Sequence, residues 1–287
     1  MGPSHSGYCQ AVTARGRKLT AAALCAAVAA LSALGAAEAA KRKPRISPEA
    51  GGASRKAAAK AARTIASKAV AKSAAYAARP PYGHPVGISN KPLGGFPLEG
   101  RSYAILATGN VLFADDRNSS GSTGSNAGGP TIRGSRDVTI FRLNLRVPQG
   151  ANCLSFRFRF FSEEFPEFVG EEFNDGFIAE LDDTTWDTNT VGSPVIDAER
   201  NFATDPDGNV ISVNSTDPAN VTAANAGGTT YDAGTRVLRA SSPITPGRHR
   251  LYLSLFDQGD RQYDSAVFVD GLTLTRRGSC QVGVAAA

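Results

Sequence analysis

Phe156-Arg157-Phe158-Arg159-Phe160-Phe161-Ser162-Glu163-Glu164-Phe165-Pro166-Glu167-Phe168-Val169-Gly170-Glu171-Glu172-Phe173-Asn174-Asp175-Gly176-Phe177-Ile178-Ala179-Glu180-Leu181 is the stretch whose reading decides the fold. Its first five residues alternate apolar and charged, the period of a half-buried strand. Gly176 to Leu181 reads as the returning strand. The loop between them holds five Glu, one Asn and one Asp. So many like charges repel unless they spread through solvent or share a cation. Hard oxygen ligands of this kind suit calcium.

The same strand grammar extends outward. Further strands are expected at Tyr103–Thr108, Val138–Val147, Val210–Val213, Arg236–Ala240, Arg248–Phe256 and Ala266–Thr275, with Leu154–Phe161 and Phe177–Leu181 flanking the acidic loop. Val138 to Leu145 and Leu251 to Leu255 alternate most clearly. Gly, Pro, Asn and Asp separate the runs, and this half has no amphipathic helix of normal length. Short strands divided by turns predict an all-β sandwich or barrel; a jelly-roll-like antiparallel β-sandwich over residues 100–280 is the expectation, supported by the family resemblance described next.

The loop Ser162-Glu163-Glu164-Phe165-Pro166-Glu167-Phe168-Val169, with Phe173-Asn174-Asp175, resembles the signature of the choice-of-anchor L domain, a family of bacterial secreted and surface proteins. A second match is Phe256-Asp257-Gln258-Gly259-Asp260 followed by Tyr263-Asp264-Ser265-Ala266-Val267-Phe268-Val269-Asp270. A weaker echo is Ile105-Leu106-Ala107-Thr108-Gly109-Asn110. The resemblance covers about residues 100–275. It implies extracellular placement, variable anchoring and a sandwich fold, and no characterised activity.

Charge divides the chain. Residues 1–100 hold 15 Lys+Arg and 3 Asp+Glu, whereas residues 101–287 hold 16 Arg, no Lys and 23 Asp+Glu. The pI near 9.1 describes neither half. A nucleic-acid partner is therefore not expected for the folded part.

The N-terminus reads as a secretory signal over residues 1–39. Arg15, Arg17 and Lys18 charge its start, Leu19 to Leu34 is apolar, and Ala37-Glu38-Ala39 fits a cleavage site. An uncleaved anchor is the rival reading. Cleavage leaves two cysteines, Cys153 and Cys280, in an oxidising compartment. A disulfide between them is the expectation, against two separate thiols. No later apolar segment follows, so no C-terminal anchor is expected, and residues 281–287 read as a tail.

Residues 40–99 read as a basic linker. Residues 55–79 are nearly all Ala, Lys, Arg and Ser, which favours a solvated helix. Residues 80–99, rich in Pro and Gly, read as a tether. The basic stretch either rests on acidic wall polymer or phospholipid headgroups, or is a spacer.

The metal-ligand candidates are Glu163, Glu164, Asn174 and Asp175 from one loop and Asp257, Asp260 and Asp264 from another, provided that the two loops meet. Glu167 lies beside the first group. A glycosidase would instead pair Glu163 or Glu164 with Glu172 or Asp175 across a cleft. His249 stands without a nucleophile motif or a zinc ligand set. Asp205-Pro206-Asp207-Gly208-Asn209 lacks the closing Glu of an EF-hand and reads as a turn. Trp186, among Asp and Thr residues, either stacks on a sugar or folds onto the sandwich edge. The combined expectation is an extracellular or cell-surface binding or structural module, stabilised by calcium, with carbohydrate or another surface protein as partner. A carbohydrate-active hydrolase and a purely structural matrix component are the alternatives.

Overall fold

A computed structural model describes residues 45–48, 55–119, 124–189 and 195–287. The expected signal segment lies outside the described residues. In chain order the elements begin with β1 (Ile46–Pro48), α1 (Arg55–Ile65), β2 (Ala71–Ala78), β3 (Val86–Ser89) and β4 (Tyr103–Ala107). Then come β5 (Arg136–Val147), β6 (Cys153–Ser162), β7 (Gly176–Leu181) and β8 (Ala233–Gly234). Last are β9 (Leu238–Pro243), β10 (Gly247–Asp257), β11 (Ser265–Thr275) and β12 (Gly283–Ala286).

Two antiparallel sheets form a sandwich. The smaller has the order β2-β5-β10-β7. The larger runs β1-β3-β4-β11-β6-β9-β12, with β8 pairing to β6. Successive strands cross between the sheets: β5 and β7 belong to the smaller, β6 and β8 to the larger. This alternation gives the jelly-roll character.

The period-two pattern does the sorting. On β5, Phe141, Leu143 and Leu145 enter the main core, while Arg142, Asn144 and Arg146 face outward. On β10, Leu251, Leu253 and Leu255 face inward from the paired register Leu251↔Leu143 and Leu253↔Phe141. From the larger sheet, Phe156, Phe158 and Phe160 meet them, with the Phe158 and Phe177 rings 4.9 Å apart. Each fully buried side chain of this size contributes about 1.5–3 kcal/mol relative to exposure.

The expected linker is largely part of the fold. Helix α1 buries Ala57, Ala58, Ala61, Ala62 and Ile65, spaced at three and four residues. Its stripe packs on β2, β4 and β11. A core helix does not need large side chains when small ones let its backbone approach the sheet closely. Alanine gives that approach at no side-chain entropy cost. Arg55, Lys56 and Arg63 stay on the exposed side.

Ala71–Ala78, expected to continue the helix, is instead an edge strand paired with β5. Tyr76 anchors it, its ring 5.2 Å from that of Phe141. The tether region contains β3, which is fully buried between β1 and β4. The expected tail contains β12, paired with β9. Val210–Val213 is not a strand: it makes isolated bridges, Thr204↔Val210 and Phe177↔Ile211.

Cys153 and Cys280 form a disulfide with Cα atoms 5.5 Å apart. It ties the start of β6 to the segment between β11 and β12, across a sequence separation of 127.

Candidate functional site

Strand register brings the two acidic loops together. Ser162 at the end of β6 pairs with Ser265 at the start of β11, which sets Glu163 beside Asp264. The Glu163 amide donates to the Asp264 carbonyl at 3.2 Å. In the smaller sheet, Gly176 at the start of β7 pairs with Phe256 near the end of β10, which sets Asp175 beside Asp257. The Asp175 amide joins these pairs across the sandwich, donating to Glu164 Oε2 at 3.1 Å. The Gln258 amide donates to Asp175 Oδ1 at 3.2 Å.

The junction is buried. Glu163, Glu164, Asn174, Asp175, Asp257 and Asp264 are all buried, and Asp260 is half-buried. Aromatic rings close it: Phe168 lies 5.3 Å from Phe173 and 5.0 Å from Tyr263. These rings pin the 163–175 loop to the 257–264 loop. Gly259, at φ 99°, makes room for Phe173, which a Cβ there would approach to 2.7 Å.

Burial dominates the electrostatics. It pushes Glu164 up to about 8, and the Asp260 charge adds to the shift against the Asp175 amide. Burial raises Asp175 well above its ordinary value, reinforced by the charges of Glu164 and Asp257. Asp257 rises for the same first reason, with Asp260, Glu164, Asp137 and Asp264 all repelling it. Burial brings Asp264 up to about 6, although Ser125 donates to both its oxygens, at 3.1 and 2.8 Å. Asp175 Oδ2 and Asp257 Oδ1 are buried without a well-formed hydrogen bond. The Ser265 hydroxyl lies beside Asp175 and offsets its shift only in part. A buried polar oxygen left this way costs about 1–3 kcal/mol, and more when charged.

Two residues that the sequence did not single out complete the picture. Asp137, fully buried at the start of β5, accepts from Ala127 and from Arg261 Nη1 at 3.1 and 2.5 Å. Arg261 also donates to the Gly129 carbonyl at 2.7 Å. Its guanidinium is thus committed to the rim. The signal for Asp137 was absent because its relevance depends on the pairing Asp257↔Arg136.

Of the remaining candidates, Glu167, Glu171 and Glu172 are exposed and stand apart from the buried set. Asp260 Oδ1 accepts from the Gln262 amide at 2.8 Å and reaches Glu164 and Asp257 only as a charge. As the side chains stand, no three of the described Asp, Glu, His or Cys groups are arranged to coordinate one ion. Trp186 is not a ligand-stacking surface. It is 0% exposed, stacked at 4.2 Å on Phe256 and covered by the Arg133 guanidinium at 5.3 Å. The outer face of the smaller sheet carries its own apolar cluster there, with Val138, Ile140 and Ile178, and the indole completes it. Asp205 is a turn residue, accepting from Asp207, Asn209 and Thr216 amides. His249 Nδ1 lies 2.9 Å from Asp182 Oδ2.

A glycosidase needs two carboxylates facing a bond in an open cleft. Glu163, Glu164 and Asp175 are buried and in contact with their own backbone neighbours, and Glu172 lies outside. Among the described residues no helix is long and apolar enough to cross a membrane.

Fold and junction define a β-sandwich module organised around buried carboxylates where its two sheets meet. Residues 80–275 match the choice-of-anchor L domain, and the chain belongs to that family, a surface-associated bacterial type. No curated protein matches the chain significantly. Among solved structures it is similar to the carbohydrate-binding module TmCBM61, solved in complex with β-1,4-galactotriose. That likeness has 10% identity and a TM-score of 0.28, covering 67% of this chain and 83% of that one.

Proposed function

We propose that the chain is a non-catalytic binding module of the cell surface or extracellular space whose two loops are locked together by calcium. The observation that carries the calcium reading is the pair of buried carboxylate oxygens, Asp175 Oδ2 and Asp257 Oδ1, that have no well-formed hydrogen bond inside a cluster of like charge. Such a cluster needs protons or a cation, and the Arg261 guanidinium at its rim already serves Asp137. Glu164, Asp175 and Asp257 would supply the carboxylates and Asn174 an amide. Calcium accepts six to eight oxygens in flexible geometry, so backbone carbonyls of both loops can complete the set after a small closure. The ion would do no chemistry on a substrate. It would hold β6, β7, β10 and β11 in one relative position and so fix the outer surfaces that bind.

The export expected from residues 1–39 fits the same reading, because extracellular calcium modules work with sites of modest affinity. The test is a thermal melt of the full chain with chelator and with added calcium. At a hundredfold excess over Kd, binding adds about 2.7 kcal/mol to the folded state. Asp175→Ala should remove the response, and Asp205→Ala should keep it. Identical melts with and without calcium would mean that shared protons, not an ion, neutralise the cluster.

A further inference from the structure

The outer face of the smaller sheet is apolar at one end, under Trp186, and cationic at the other. At the cationic end a groove of about 780 Å³ is lined by Lys72, Asn144, Arg146, Arg248, Arg250 and Asp182. Register sets Arg146 directly opposite Arg248, and Arg250 opposite Asn144. Lys72 adds a further cation from the β2 irregularity between Ala71 and Ser73.

This arrangement works against stability. Like charges directly opposite on neighbouring strands repel. Lys72, Arg146, Arg248 and Arg250 are exposed, and among the described residues their side chains make no ion pair. The groove's one acid, Asp182, is already engaged by His249 Nδ1 and by the Arg250 amide, at 2.9 and 3.0 Å. The clustering also runs against the composition of residues 101–287, where 23 acids outnumber 16 Arg. None of the exposed large hydrophobic residues, Tyr82, Phe113, Val169, Val195 and Val282, lies in the groove.

We propose that this groove binds an acidic polysaccharide, through carboxylates or sulfates carried on successive sugar units. The proposal rests on the binding-module reading and gives it a ligand class and a place. Residues two apart on a strand stand about 6.8 Å apart, and neighbouring strands about 4.8 Å apart. Three arginines and a lysine therefore form a small grid of donors that a chain of regularly spaced anions can bridge. Guanidinium forks match carboxylate and sulfate oxygens two at a time. The Asn144 amide, which donates to Ser73 Oγ at 2.8 Å, adds a polar contact for hydroxyls. A lipid surface fits less well, because the groove is concave and its one apolar lining side chain, Leu145, is buried in the core rather than free to insert.

The experiment is calorimetric titration of the calcium-loaded full chain with polygalacturonate and chondroitin sulfate, against dextran as the neutral glycan. Acidic glycans should bind and dextran should not, with affinity falling as salt rises. The double variant Arg146→Glu/Arg248→Glu should weaken binding at least tenfold, and Lys56→Glu on α1 should leave it unchanged. Arg146→Glu alone converts a repelling pair into an attracting one. It should therefore melt no lower than wild type while binding less. Equal binding by the double variant, preferential capture of anionic vesicles or of DNA, or a lower melting temperature for Arg146→Glu would overturn the proposal. The melts with chelator report on the calcium site separately, so failure of one reading is visible apart from failure of the other.

Discussion

The Asp264 carboxylate sits directly against Gly109: a Cβ at position 109 would lie 1.7 Å from Asp264 Oδ2. The bare backbone of the loop after β4 is therefore what lets Asp264 reach the acidic junction. Gly109→Ala should expel the carboxylate and destabilise the domain by about 1–3 kcal/mol or more. Calorimetric melting would show the loss, together with a diminished calcium response. Wild-type melting with a full response would contradict this seat.

Raised carboxylate values give the calcium-free protein a defined pH dependence. The folded-state values of Glu164 and Asp264, about 8 and about 6, lie above their ordinary values of 4.5 and 3.8. The folded state then binds protons more tightly than the unfolded chain. Its stability is full at about pH 4 and is lost as pH rises through about 6 to about 8. In chelator, the melting temperature should fall over that window. Saturating calcium should flatten the fall, since a cation replaces the protons. A chelated protein that gains stability from pH 4 to 8 would refute both assignments.

Loss of the Cys153–Cys280 bridge should cost about 2–5 kcal/mol. The effect should be read by denaturant titration of Cys280→Ser or of reduced protein. Hydrogen exchange should locate the loosening at β12, whose pairing with β9 is the first contact that the bridge secures. Unchanged protection at Val284 to Ala286 would show that β12 holds by itself.

Trp186→Ala should destabilise by about 3–5 kcal/mol, the usual loss for a large buried ring. Glycan affinity should not change. The indole emission of the native protein should be blue-shifted and poorly quenched by iodide. Strong quenching would place the ring at the surface.

Helix α1 can be tested from both faces. Ala61→Glu buries an unpaired charge against the sheets and should cost at least about 2 kcal/mol. Lys56→Glu, on the exposed face, should stay within about 0.5 kcal/mol. Equal effects in the melt would mean that the alanine face is not packed.

The sequence by itself determined the all-β character and the family, and it did so where a signal is local. Alternation on Val138–Leu145 and Leu251–Leu255 needs no knowledge of partners, because a strand with one buried face must repeat every two residues. The Cys153–Cys280 pairing was expected on the premise of export, against two separate thiols, and the structure forms it. What only the tertiary structure decided are the features that depend on what a residue meets. The Ala-rich segment reads as solvated until its alanine stripe is seen packed on β2, β4 and β11. Trp186 among Asp and Thr reads either as exposed or as folded onto the sandwich edge, and only Phe256, arriving beneath it from a strand 70 residues away, decides. The arginines of β5 and β10 are ordinary outward residues in a one-dimensional pattern. Their cross-strand register alone sets Arg146 against Arg248, because pairing distance, not chain distance, fixes which charges meet.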